Sequence, residues 1–223
     1  IEQFSGHNVP AGPPPFVRFV RTSRESTPGL RWRSENNLEL FVPKKVDGRI
    51  EVGEPILLSR LCIGLSAHSG IPSSVVSRGT KVHVAWGEAT DPQDKNVPGV
   101  PTFVVTYDTQ TNQLGKPALI GYGPPANDGH NSPSLTMDSQ GYLHVLIGTH
   151  GRPFQYAKSL APNEAGGGWT EPVLAGEGLN QTYIGFVCGK DDTLHTVFRL
   201  WRSGEPYPHS THATLAYQRK RPG

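Results

Sequence analysis

Cysteine, methionine and charge are all scarce in this chain of 223 residues. There are two cysteines and one methionine, and Asp, Glu, Lys and Arg together make up only 18%. Two cysteines cannot staple a chain of this length, which excludes a disulfide-framed miniature fold. Cys62 and Cys188 stand 126 positions apart without a CxxC spacing. They read as buried small hydrophobes, and the sequence does not say whether they pair. Few charges beside 26 glycines and 21 prolines exclude a coiled coil or a helical bundle. No apolar run approaches the roughly 18 residues of a membrane helix, so a soluble chain with no membrane partner is expected. The formal net charge of +2 is too small to argue for nucleic acid. The chain starts at Ile1 without a basic-then-apolar leader and stops at Gly223 just after a strand-like stretch. A piece of a longer chain is the expectation.

What the chain has in quantity is period-two alternation of β-branched and aromatic residues, in short runs bounded by Gly, Pro, Asn and Asp. Lys81–Trp86, Phe103–Tyr107, Tyr142–Ile147 and Thr193–Phe198 are examples. No window carries a capped helix, so the fold class is all-β. Three of these segments repeat one another around a histidine: Val82-His83-Val84, Leu143-His144-Val145 and Leu194-His195-Thr196. Pro72-Ser73 and Pro133-Ser134 each begin eleven residues before their histidine, and turn residues precede all three strands. The anchors are 61 and then 51 residues apart. A unit of about 50 residues holding several short strands is the pattern of a β-propeller blade, a four-stranded antiparallel sheet. The third strands fall at Phe103–Tyr107, Phe154–Lys158 and Thr214–Gln218, and residues 25–60 hold an earlier, less regular blade. The reading is one incomplete propeller domain over 1–223, with three to five blades.

In such a blade, the start of the first strand and the end of the second meet at one funnel-shaped face. The strand starts carry Ala67-His68-Ser69-Gly70, Gly129-His130-Asn131-Ser132 and Gln181-Thr182-Tyr183-Ile184. The second-strand ends carry Gly87-Glu88, Gly148-Thr149-His150-Gly151 and Phe198-Arg199-Leu200-Trp201-Arg202. Two imidazoles, a phenol and a guanidinium would therefore share one mouth. That set suits β-elimination on a uronic acid. The proton α to the sugar carboxylate becomes removable when that charge is neutralised, and arginine is a bidentate carboxylate clamp. Histidine or tyrosine can then carry the proton, with no metal or redox cofactor required. Structural readings stand beside the chemical ones. His83, His144 and His195 recur as packing would, His130 can cap a turn, His150 can mark one, Tyr183 can pack and Arg199 can pair with an acid.

Asn127-Asp128-Gly129-His130-Asn131-Ser132-Pro133-Ser134, then Gly141-Tyr142-Leu143-His144-Val145 and Gly148-Thr149-His150-Gly151, resemble the BNR-repeat, sialidase-like propellers that include the ulvan lyases. Tyr183, followed sixteen residues later by Arg199, fits the same pattern, and Gly168-Trp169-Thr170-Glu171-Pro172 looks like a worn Asp-box turn. The likeness runs from about residue 68 to 217. It implies a seven-bladed β-propeller that cleaves an ulvan-like, uronate-containing acidic polysaccharide by β-elimination. Carried over, His130 and Tyr183 are the proton-transfer pair, His150 assists them, and Arg199 neutralises the uronate. Asn131, Arg202, Trp201, His209 and His212 are further substrate-binding candidates. A structural Ca or Zn ion is implied by the family, while the residues themselves nominate no metal ligands. His209 and His212 lack a Cys or acidic partner nearby.

Arg202–His212 reads as a polar loop on the same face, a wall for substrate. Two other functions compete. A sialidase-like hydrolase would want three arginines and a Tyr/Glu pair, and the sequence offers Arg199, Arg202, Tyr183 and Glu88. A non-catalytic glycan-binding propeller would use Trp86, Phe154, Trp201 and Tyr207 as stacking surfaces. Secretion or periplasmic export is expected, because a polymeric glycan does not enter cells.

Overall fold

A computed structural model describes residues 12–21, 36–64, 74–91, 94–176, 179–204 and 207–222, without the side chains of residues 21 and 202–213. The expected strand start at Ala67–Gly70, with Pro72-Ser73, lies outside the described residues.

The chain forms antiparallel sheets, each largely built from consecutive strands. The first contains β1 (Phe16–Arg21), β2 (Asn36–Phe41) and, after a two-stranded hairpin of β3 (Lys44–Val46) and β4 (Arg49–Glu51), β5 (Ile56–Cys62). The hairpin turns on Asp47-Gly48, both at positive φ, as an Asp-Gly two-residue turn requires. The second sheet has β6 (Val75–Arg78), β7 (Lys81–Gly87), β8 (Pro101–Asp108) and β10 (Ala118–Tyr122), with the short β9 (Gln113–Leu114) also pairing with β8. The third runs β11 (Ser134–Met137), β12 (Leu143–Ile147), β13 (Phe154–Lys158) and β14 (Val173–Ala175) in sequence order. The fourth has β15 (Asn180–Cys188), β16 (Leu194–Gly204) and β17 (Tyr207–Lys220). The all-β class expected from the alternation is what forms, in blade-like sheets that, among the described residues, do not close into a ring.

Apolar side chains fill the gaps between neighbouring sheets. Leu38, Leu40, Val84 and Trp86 pack together between the first and second. Val104, Met137, Val145 and Ile147 do so between the second and third, and Phe154, Phe186 and Phe198 between the third and fourth. The first strands β6, β11 and β15 contact one another in succession, which brings the sheet ends onto a common face. Cys62 and Cys188 are free and buried in different interfaces. Burial pushes both thiols up to about 12, so they behave as the small hydrophobes expected.

The recurring histidines are joints within and between sheets. His83 Nδ1 bonds Thr106 Oγ1 at 2.9 Å, and its Nε2 bonds Asn163 Oδ1, from the β13–β14 connection, at 3.0 Å. His144 and His195 each reach a third-strand tyrosine hydroxyl, Tyr156 and Tyr217, at 2.7 Å. Burial lowers the His83 pKa to about 4, against an ordinary value of 6.5. The unfolded chain therefore binds a proton that the folded one refuses, and stability is lost as pH falls from 6.5 toward 4. The loss is roughly 3 kcal/mol. Urea unfolding at pH 7 and pH 4 measures it, and His83→Gln should shrink the difference by about that amount.

One expectation is overturned. Arg202–His212 is not a wide polar loop. β16 continues to Gly204 and β17 returns from Tyr207, with Arg202 opposite His212, as a long two-stranded ribbon. The physical reason is that the ladder begun at Leu194 and Lys220 keeps pairing backbone to backbone, which needs no apolar face.

Candidate active site

The site begins with a turn. Asp128 caps the short 3-10 helix Gly129–Asn131 that leads into β11, and its Oδ1 accepts the His130 backbone N–H at 2.7 Å. The same oxygen accepts from His130 Nδ1 at 2.6 Å. Its other oxygen, Oδ2, lies 3.3 Å from Nδ1 of His150, on the loop after β12. One carboxylate thus spans two imidazoles, whose rings stack 4.2 Å apart and 9° from parallel.

Tyr183 arrives from the next sheet through a strained backbone. Its φ is +62°, and the β15–β16 ladder slips between Thr182 and Gly185. A bulge re-aims a side chain that regular pleating would send elsewhere. Tyr183 consequently donates its hydroxyl to His130 Nε2 at 2.5 Å. With Asp128 accepting from Nδ1–H, Nε2 is left as the acceptor, so acid, imidazole and phenol form a directional chain.

Arg199 closes the cluster from β16. Its guanidinium carbon lies 4.2 Å from the Tyr183 ring and 4.2 Å from the ring of Trp201, two residues along the same strand face. No carboxylate pairs with it among the described residues, and its buried Nε has no hydrogen-bond partner. It is a cation 4.2 Å from each of two aromatic ring centres, and among the described residues it has no counterion.

The charges are set by these neighbours. Burial lowers the His130 pKa, and the charges of His150 and Arg199 add to that, against the raising effect of Asp128. Burial acts to raise the Asp128 pKa. The amide and ring of His130 and the charge of His150 outweigh it and hold the carboxyl below its ordinary value. Near neutral pH the pair is therefore a carboxylate and a neutral imidazole.

Asp128, His130 and His150 also bring ligand-type atoms within 4.8 Å of one another. The set does not suit the Ca or Zn ion expected by resemblance. Calcium takes six to eight oxygens. Imidazole lone pairs lie in their ring planes, and near-parallel planes do not converge on one zinc.

The structure brings His130, His150, Tyr183, Arg199 and Trp201 together. Asn131 is buried, its Nδ2 donating to the carbonyls of Pro124 (3.2 Å) and Ala126 (2.5 Å), so it pins the loop that carries His130. The backbones of Arg202, His209 and His212 lie in the ribbon, and their side chains fall outside the described residues. Glu88, the acid that a hydrolase would need, bonds Ser59 and Trp86 instead. Asp128 is the site residue that sequence reasoning passed over. Its position two residues before His130, at a turn, was the available signal.

Gly148 keeps the two histidine loops in register. A Cβ there would lie 2.1 Å from the Asn131 carbonyl oxygen and 2.6 Å from that of Ser132. Gly148→Ala should cost about 1–3 kcal/mol and part His150 from His130. Thermal unfolding checks the first effect, and loss of the site's activity the second.

Residues 99–219, just over half of the chain, match a family described as BNR repeat-containing family member. No curated protein matches the chain.

Proposed function

The chain belongs to the BNR repeat-containing family, and on that premise we propose that it is a polysaccharide lyase, cleaving a uronate-containing, ulvan-like acidic glycan by β-elimination. The observation that carries this reading is Arg199, a guanidinium with no acid paired to it among the described residues, fixed beside the Asp128–His130–Tyr183 chain. An arginine without an acid is poised for an acid from outside, and the uronate carboxylate is one.

The steps follow from the contacts. Arg199 binds the carboxylate, which lowers the pKa of the C5 proton and stabilises the charge that develops when it leaves. Tyr183, its own proton drawn toward His130 Nε2, takes the C5 proton. The electron pair forms the C4–C5 double bond and expels the C4 oxygen, which leaves with a proton. His130 is the store for that proton, held in the right tautomer by Asp128. His150 is exposed at the edge of the stack and assists there. The active fold in this reading is a seven-bladed propeller, secreted or periplasmic.

The hydrolase alternative has less support. It needs three arginines and a Tyr/Glu pair, and Glu88, the glutamate that the sequence offered, bonds Ser59 and Trp86 instead of joining Tyr183. The test is incubation with ulvan, alginate and a neutral glycan, followed by ultraviolet absorbance. The reading expects new absorbance with a uronate polymer, lost in His130→Ala. Reducing ends that appear without absorbance would favour hydrolysis, and tight binding without either would favour a lectin.

A further inference from the structure

A second site sits beside the cluster. A cleft of about 630 Å³ opens between the outer strand of the second sheet and the third sheet. That is within the roughly 300–1,000 Å³ of small-ligand sites. Tyr122 from β10 forms part of one wall, Thr149, Arg152 and Gln155 part of the other, and Glu171 lies at its edge. Two of its lining residues are chain neighbours of the proposed active site. Thr149 precedes His150, and Arg152 bridges the backbone of Gln181, two residues before Tyr183.

Two features suit an anionic sugar. Arg152 is exposed and has no ion-pair partner among the described residues. Tyr122 is a half-buried aromatic ring of the kind sugars stack on. Gly121 and Gly123 line the floor, and each lies so close to the third sheet that a side chain would strike Ile147 or the Gly148 carbonyl, so the wall stays low.

We propose that this cleft is a second sugar subsite, which receives a neighbouring residue of the same chain that reacts at Tyr183. Arg152 pairs with an anionic oxygen group on that residue, and Tyr122 stacks on its ring. The proposal rests on the lyase reading for the identity of the polymer. The anion is a carboxylate or a sulfate ester, which share the chemistry that arginine reads.

The test is calorimetry on the inactive His130→Ala variant with ulvan disaccharide, tetrasaccharide and desulfated tetrasaccharide. The expected result is tighter binding of the tetrasaccharide, by about tenfold or more, and loss of that gain on adding Arg152→Ala. Tyr122→Ala, made separately, should lose part of it. If desulfation alone erases the gain, sulfate is the group read, and if not, carboxylate. A gain that survives both substitutions overturns the subsite while leaving the lyase reading intact. Absence of any oligosaccharide binding, with no unsaturated product from the unsubstituted protein, overturns both.

Discussion

Replacing Arg199 by alanine should lower turnover of a uronate polysaccharide by about 10²–10³-fold, the usual cost of removing one preorganised group from developing negative charge. The reason is local. The guanidinium lies 4.2 Å from the Tyr183 and Trp201 rings with no acidic partner among the described residues, which suits a charge that arrives with substrate. Removing it leaves the C5 proton beside a full carboxylate anion, where its loss would put a second negative charge on the same group. Arg199→Lys should recover only part of the loss, since an ammonium neither forks onto a carboxylate nor fills a flat slot between rings. Steady-state absorbance kinetics separate the cases. A fall confined to kcat marks a group that acts in the transition state, and a rise confined to KM marks simple binding. Full activity in Arg199→Ala would remove the residue from the mechanism.

Asp128→Asn is the second large effect, expected at about 10²–10⁴-fold in kcat. The substitution preserves shape and removes the charge. Oδ1 accepts both the His130 backbone N–H and Nδ1–H, so an asparagine keeps its oxygen there and turns its NH₂ toward His150, and the imidazole loses the carboxylate charge that favours its taking the Tyr183 proton. The pH profile reports the same chain. Burial holds the His130 pKa below its ordinary 6.5, so activity that needs neutral His130 should persist at neutral pH and fall away on an acid limb below 6.5. Removing Asp128 takes away the bond and charge that raise that pKa, and the limb should move to still lower pH. A limb that stays in place would place the titrating group elsewhere.

Much of this was legible in the sequence. The strands around Val84, Val104, Val145 and Phe198 announce themselves by alternation, because each lies between two packed sheets. The histidine repeat read correctly as packing, since its partners Thr106, Tyr156 and Tyr217 are all on third strands. His130, His150, Tyr183 and Arg199 could be placed on one face by counting strand starts and ends. Other features were illegible for physical reasons. Asp128 joins the site only because a 3-10 turn folds its carboxylate back between two rings, a geometry with no periodic signature. The bulge at Tyr183 is set by ladder slippage and not by a turn residue at that position. The ribbon after Trp201 is held by backbone pairing, so its polar sequence resembles a loop.

Mass spectrometry of the products, from a defined uronate oligosaccharide, tests the central claim most directly. Elimination conserves atoms, so the two fragment masses should add up to the mass of the substrate, with the double bond on the new non-reducing end. Fragments that together exceed the substrate by one water would show hydrolysis, and the Asp128–His130–Tyr183 chain beside Arg199 would then need a different account.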